Sequence, residues 1–281
     1  MVGMVLSRKV VNSVVVHVLL VAFVVIALIP LVWVATTSFK LDTEVVSFPP
    51  RLLPQHPTIR PYIDLWQKAP FFVYTRNSTI VSLGAAVLAL LVSSLAAYGM
   101  ARFKFKGVKV LLSIFLLSQM FPGASILIPV TQTVIKLHLY NTLHGLTFVY
   151  TAFFIPFSCW MLYGYFRMIP REIDEAAYID GCSKMGILFR MTIPLTVPGL
   201  AATFVFSFLG GWNEFLFALV MTNSESVRTL PVGMSLLIGQ YFTWWNMLSS
   251  SAILFALPPL VFFFLLEKAL VSGLTAGAVK G

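Results

Sequence analysis

RMIPREIDEAAYIDGCSKMGILFRMTIP, residues 167–194, is a polar island in an otherwise apolar chain. It carries four of the ten acidic residues (Glu172, Asp174, Glu175 and Asp180) and balances them with Arg167, Arg171, Lys184 and Arg190. Pro170 suits a first helical position, where its missing N–H costs nothing. Glu172 and Asp174 then fall in the first turn, where the helix dipole favours acids. Ile173, Ala176 and Ala177 share one face, and Gly181 is suited to stop the helix. Ser183 can cap a second short helix that keeps Ile187, Leu188 and Met191 on one side. Pro194 opens the next apolar run. The spacing predicts a helix, a sharp glycine turn and a second helix. A solvated connector is the plain alternative. Against it, the segment has 28 residues, where connections in compact folds usually have about 2–8. The Ala176–Ala177 face admits close approach of another backbone. A helix lying on an anionic lipid surface would be basic, and this one is acid-rich. The stretch reads as a knob for a protein groove.

Outward from this island the chain is membrane-like. Of its 281 residues 59% are hydrophobic and 10% charged, against about 25% charged in soluble domains. Cutting at charges leaves six long windows, 10–39, 77–101, 110–135, 137–166, 191–213 and 229–266. Each suffices for the roughly 20 apolar residues that a hydrocarbon core requires. The expectation is an all-α integral membrane protein of six helices forming one domain over residues 1–281. Within it lie an outer loop at 40–76, the polar island at 167–194 and a tail at 269–281. Arg8-Lys9 precede an apolar run too long for a cleaved signal peptide, so it reads as a retained first helix kinked near Pro30.

The net charge of +9 is explained by orientation rather than nucleic acid, because no basic patch with interleaved aromatics occurs outside short loops. With the N-terminus inside, the inner loops hold Arg8, Lys9, Arg102, Lys104, Lys106, Lys109, the four bases of the island, Lys268 and Lys280. The outer loops hold Lys40, Arg51, Arg60, Lys68, Arg76, Lys136 and Arg228. The inner excess puts the island and both termini in the cytoplasm.

Glu175-Ala176-Ala177, three residues, Gly181, nine residues, then Met191-Thr192-Ile193-Pro194 resembles the EAA loop of ABC importer permeases. Met191 and Ile193 stand where that pattern has Ile and Leu. The resemblance runs from about Val14 to Gly281 and implies the type I (MetI-like) importer fold. It implies that Glu172, Asp174, Glu175, Ala176, Ala177, Asp180, Gly181 and Pro194 couple the chain to an ATPase subunit. It further implies a heterodimer with a second permease, two ATPase subunits carrying ATP and Mg, and an external sugar-binding protein in a plasma (inner) membrane. Ser38-Phe39-Lys40 before a Pro-rich segment, and Ala101-Arg102-Phe103-Lys104-Phe105-Lys106-Gly107, also match runs common in these permeases. For the latter, a basic topology anchor is physically sufficient. The terminal string from Gly273 to Gly281 is similar to that of the maltose G-type member of a permease pair. There the tail inserts between the ATPase subunits, which points to Thr275, Gly277 and Lys280. Read without the resemblance, the same tail is a frayed terminus.

The polar residues of the fifth run point to a pathway. Phe208, Trp212, Asn213, Glu214, Phe215 and Phe217 cluster there, and a carboxylate at mid-span costs roughly 2.5–3.5 kcal/mol on insertion. Amide plus aromatic rings suits a sugar, with its polar edges and C–H faces. The alternative is that Glu214 pairs with a neighbouring helix near the outer interface. The Trp-Asn-Glu triplet is again common in maltose-type permeases. In that system an outer loop reaches towards the binding protein, which implicates Ser224, Glu225 and Arg228 within 224–229. Between 41 and 73, prolines and aromatics read either as a membrane-interface belt or as a docking surface, with a short helix over Tyr62–Trp66.

Several chemistries are not written in the chain. No phosphate-binding G-x-x-x-x-G-K-[ST] run is present, so the chain cannot hydrolyse ATP alone. His138 and His144 lack a third ligand, and Cys159 and Cys182 suggest neither disulfide nor metal. Asn77-Ser78-Thr79 is a sequon of a kind common by chance. A disaccharide such as trehalose or maltose is the substrate the resemblance suggests. Glycerol phosphate or another glycoside is the alternative, and a secondary transporter the more distant one. The latter would need repeats and coupling-ion sites.

Overall fold

The computed structural model describes the backbone of residues 2–103, 106–239 and 242–278, with side chains from 13 to 267 within those ranges. In chain order the helices are α1 Val2–Thr37, α2 Asp42–Val45, α3 Arg60–Lys68, α4 Phe71–Arg102, α5 Val108–Ser118, α6 Gly123–Lys136 and α7 Leu143–Met168. There follow α8 Arg171–Ile179, α9 Lys184–Ile187, a π-helical turn Leu188–Thr192, α10 Ile193–Leu195, α11 Val197–Asn213, α12 Leu216–Met221, α13 Leu230–Ser235 and α14 Trp245–Ala278. Among the described residues the only extended pairing is an isolated bridge, Ile238 to Thr243.

Four helices are long and apolar enough to cross a membrane: α1 from Ser13, α4, α7, and α14 to Glu267. Two bent pairs pass the same test jointly, α5 with α6 at 98° and Lys184–Leu195 with α11 at 83°. Each bent pair counted as one span gives the six windows of the sequence. The first bend falls at Phe121-Pro122-Gly123, where Pro122 takes an extended conformation and caps α6. The third run turns there and continues to Lys136. The fifth run is not one continuous helix. It breaks at Thr196, ahead of a proline at the start of α11, and again at Glu214-Phe215. Pro30, Pro156 and the Pro258-Pro259 pair lie inside helices that run through them.

The chain divides into two compact units, residues 1–69 with 236–256, and 70–235 with 257–281. The second unit is built on α4 and α7. Ala85, Ala86, Ala89, Ser93, Ser94 and Ala97 of α4 are buried, because small residues let helix backbones approach where no hydrophobic gain drives them together. A side chain on Gly211 of α11 would place its Cβ 3.2 Å from Ser82 Cα, so glycine is what lets these helices touch. Hydroxyls join the helices across the interfaces: Ser93 donates to the Ile155 carbonyl at 3.3 Å, and Ser158 and Ser207 meet at 3.3 Å. After α12 the chain forms α13, whose Leu230 and Val232 are fully buried and whose Gly233 lies against the ring of Tyr74.

The first unit is organised around Lys40, which is buried. Its ammonium donates to the Arg51 carbonyl at 2.6 Å and sits 4.7 Å from the Trp33 ring centroid. Burial pushes the Lys40 ammonium below its ordinary value, and Glu44 acts in the opposite direction. Tyr62 donates to Ser38 Oγ at 2.9 Å, and Asn246 donates to the Lys40 carbonyl at 3.2 Å. The Glu44 carboxylate caps the backbone amides of Gln55 and His56, each at 3.0 Å. The Ser38-Phe39-Lys40 run is thus the anchor of the proline-rich loop, and the short helix expected at Tyr62–Trp66 is α3.

Candidate functional site

The polar island folds as its residues dictate. Pro170 is extended and stands one position before α8, which starts at Arg171. Gly181 has φ 83°, a left-handed conformation that a β-carbon disfavours. It completes a double closure: Cys182 N–H donates to the Ala177 carbonyl at 2.9 Å and Gly181 N–H to that of Tyr178 at 3.1 Å. This is a Schellman stop. Ser183 Oγ then accepts from Gly186 N–H at 3.1 Å and starts α9. Pro194 lies exposed in α10.

One face of the island is inside and the other is free. Ala177, Ile187 and Leu188 are buried, Leu188 in a cluster with Ala97, Tyr98, Ala101, Leu162 and Phe166. Glu172, Glu175, Ala176 and Asp180 are exposed, and so are Tyr178 at 66%, Ile179 at 85% and Met185 at 51%. The free face is therefore both acidic and apolar. Asp174 differs from its acidic neighbours. It turns inward and meets Arg102 Nε at 2.7 Å. Burial pushes its carboxyl above the ordinary value, with Arg102 and Arg171 pulling the other way. A cavity of about 540 Å³ lined by Trp33, Lys40 and Trp245 lies in the first unit. One of about 490 Å³, lined by Tyr98, Arg102, Phe103, Asp174, Tyr178 and Lys184, lies beside the island.

The fifth run distributes its candidate pathway residues unevenly. Phe208 and Trp212 are fully buried and stack at 5.7 Å, and Phe217 is buried against Phe153 at 4.9 Å. Asn213 and Phe215 are exposed, Asn213 donating to the Leu209 carbonyl at 2.8 Å. Glu214 is half-buried, and its carboxylate has a structural task. Oε1 accepts from Phe217 N–H at 2.8 Å, and Oε2 from Ala218 N–H at 3.0 Å and Tyr150 Oη at 2.5 Å. It therefore caps α12 at the break and ties the break to α7.

The loop after α12 is held in place. Asn141, at φ 55°, accepts through Oδ1 from the backbone amides of Asn223 at 2.8 Å and Ser224 at 3.1 Å. Asn77 donates through Nδ2 to the carbonyls of Ser226 and Arg228, each at 2.9 Å. Ser224 is thus bound inward and Glu225 left exposed, while Arg228 is half-buried and donates to the Asn223 carbonyl at 3.3 Å. Asn77, Asn141, Tyr150 and Arg102 were not among the sequence candidates. Asn77 reads as a sequon and Arg102 as an anchor, and nothing in the sequence around Asn141 or Tyr150 marks them. The side chains of Thr275, Gly277 and Lys280 lie outside the described residues. Among the described residues no cluster of three metal-ligating side chains occurs.

A bundle of long apolar helices with an ordered, exposed helix–turn–helix between two of its spans defines a membrane-embedded protein. Residues 89–276 match the family model described as "Binding-protein-dependent transport system inner membrane component", and the chain belongs to that family. It is a multi-pass membrane protein with the type I importer permease fold. It is 37% identical over 261 residues to the inner membrane ABC transporter permease protein YcjP of Escherichia coli, covering 92% of this chain and 93% of that one. It is 34% identical to the sulfoquinovosyl glycerol transport system permease protein SmoH of Agrobacterium fabrum, covering 90% and 89%. To the trehalose/maltose transport system permease protein MalG of Thermococcus litoralis it is 35% identical, covering 92% and 93%. A bacterial ABC transporter involved in the import of the acidic polysaccharide alginate contains a chain of the same fold. The TM-score is 0.80 at 20% identity, over 92% of this chain and 96% of that one.

Proposed function

We propose that this chain is one of two permease subunits of a sugar-importing ABC transporter, the one corresponding to the maltose G-type member. Residues 167–194 dock in a cleft on a cytoplasmic ATPase subunit, and ATP with Mg is bound on the two ATPase partners. ATP closes the ATPase pair, the docked segment follows, and the helices rock to open the pathway outward. A nucleotide shifts that equilibrium only through its different affinity for the two states. Both termini are cytoplasmic, the 224–229 loop faces an external sugar-binding protein, and the tail with Thr275, Gly277 and Lys280 reaches the ATPase pair.

The observation that carries this reading is the island itself. It is ordered by a Schellman stop and a serine cap, packed on one face, and exposed on the other through Glu175, Ala176, Tyr178 and Ile179. An exposed Ile and Tyr beside acids fit a groove lined by apolar and basic side chains. The substrate assignment rests on likeness. A relative named for trehalose and maltose favours a disaccharide, and one named for sulfoquinovosyl glycerol favours a glycoside.

The test is uptake of radiolabelled trehalose by proteoliposomes holding the whole complex, with ATP inside and binding protein outside. Glu175→Lys reverses a charge on the docking face and is expected to leave the complex assembled while lowering uptake per ATP hydrolysed at least about ten-fold, the effect of a few kcal/mol at an interface. Undiminished coupling in Glu175→Lys would refute the docking. Wild-type uptake of another glycoside but not of trehalose would correct the substrate and leave the docking intact.

A further inference from the structure

The Ala101-Arg102-Phe103 run needs no function beyond orientation when read as sequence, yet the structure engages all three residues with the polar island. Ala101 is buried in the cluster that also holds Leu188. Arg102 is 8% exposed and reaches two points of the island. Nε lies 2.7 Å from Asp174 Oδ2, and Nη1 donates to the Ile169 carbonyl at 3.1 Å, just ahead of α8. The Phe103 ring carries the Lys184 ammonium 4.6 Å from its centroid, at the start of α9. The end of one spanning helix, α4, thereby grips the entry, the first helix and the second helix of the island.

We propose that Arg102 and Asp174 are positioning residues for energy coupling: their ion pair is the latch that makes α8 and α4 move as one body. This rests on the docking reading above and deepens it. A helix that moved in an ATPase cleft without a rigid link to a span would transmit nothing. Packing alone offers little resistance to sliding, since Ala177 is the only buried residue of α8. The pair supplies what packing lacks, a directional, charged contact at a fixed separation. Its value is positional. Taking two charges out of water costs about as much as their attraction returns, so a buried pair adds little to stability while still fixing geometry. The contact also has spare capacity, because Asp174 Oδ1 and Arg102 Nε and Nη2 are buried without a hydrogen-bond partner, the 2.7 Å approach of Nε to Oδ2 being a charge contact. A small movement of α8 can bring the carboxylate onto the guanidinium fork in parallel hydrogen bonds without separating the charges.

The test uses the complex of this chain with its permease partner and both ATPase subunits, with Cys159 and Cys182 replaced by Ser. Spin labels at Arg171→Cys on α8 and Leu95→Cys on α4 report one distance, and a third label on the ATPase reports the docked interface. ATP with vanadate is the probe. With the latch intact, the α8–α4 distance is expected to stay fixed while the α8–ATPase distance changes. In Arg102→Gln and in Asp174→Asn, the α8–α4 distance is expected to shift by about 2 Å or more, the scale of helix displacement at interfaces. Each single variant strands a buried charge and is expected to lower Tm as well, so the α8–α4 distance, and not Tm, is the deciding readout. The swap of Arg102→Asp with Asp174→Arg is expected to restore the fixed distance. An α8–α4 distance that moves in the wild type, or stays fixed in both single variants, overturns the latch. An α8–ATPase distance too long for contact overturns the docking instead, and the two failures are read from different labels.

Discussion

At the residue scale, Glu214 shows how one side chain can satisfy a membrane-embedded break. The chain leaves α11 at Asn213 and re-enters helix at Leu216, so the first amides of α12 have no partner within it. Glu214 turns extended and supplies both carboxylate oxygens to those amides, and Tyr150 adds a hydroxyl from α7. A buried donor left unpaired costs about 1–3 kcal/mol, more beside a charge. Glu214→Ala is therefore expected to lower stability by about 2–4 kcal/mol and Tyr150→Phe by about 1–2 kcal/mol. Tyr150→Phe should cost almost nothing once Glu214 is Ala. Thermal unfolding of the four variants in micelles forms the cycle. Additive losses would mean that the hydroxyl and the carboxylate do not interact.

At the element scale, what was legible in the sequence and what was not divide by the range of the contact. The island's helix, glycine turn and capped second helix are local events, each decided within a few residues, and all three stand in the structure. Gly181 is the clearest, because a left-handed residue after a helix is written in one letter. The six spans were readable for the same reason, as runs of uncharged residues. The bends at 98° and 83° were not. A proline alone does not decide them: Pro122 breaks its span while Pro156 and Pro258-Pro259 do not. The partners of Asp174, Glu214 and Asn223 are 64 to 82 positions away, and no periodicity encodes such a pairing. A local prediction follows. Gly181→Ala keeps the Schellman bonds but adds a β-carbon at φ 83°, costing about 1–2 kcal/mol. Amide exchange over residues 176–183 is expected to quicken roughly ten-fold, since 1.4 kcal/mol is a factor of ten in opening. Gly181→Pro, which also removes the N–H that bonds to Tyr178, should lose the turn altogether. Equal exchange in wild type and Gly181→Ala would show that the turn is not what orders the island.

At the scale of the whole molecule, burial is uneven between helices that are all long enough to span. The most apolar windows of α4 and α7 are each 44% buried within the chain, that of α14 is 11% buried and that of α1 is not buried at all. A helix apolar on every side can face lipid. Exposed polar groups at membrane depth need a partner, because hydrocarbon offers them no hydrogen bonds. Asn213 is an exposed polar group next to Phe215 at the break after α11, its amide donating to the Leu209 carbonyl. On the function proposed above, a second permease covers this side. With Cys159 and Cys182 replaced by Ser, Asn213→Cys is expected to cross-link through a short bismaleimide to the partner permease in purified complex. Val87→Cys, at an exposed position on α4, is not expected to. Liposomes given this chain and the ATPase subunits without the partner should take up no sugar. If Asn213→Cys joins two copies of this chain and uptake persists without any other permease, the assembly is a homodimer and the pathway is walled by the same residues twice.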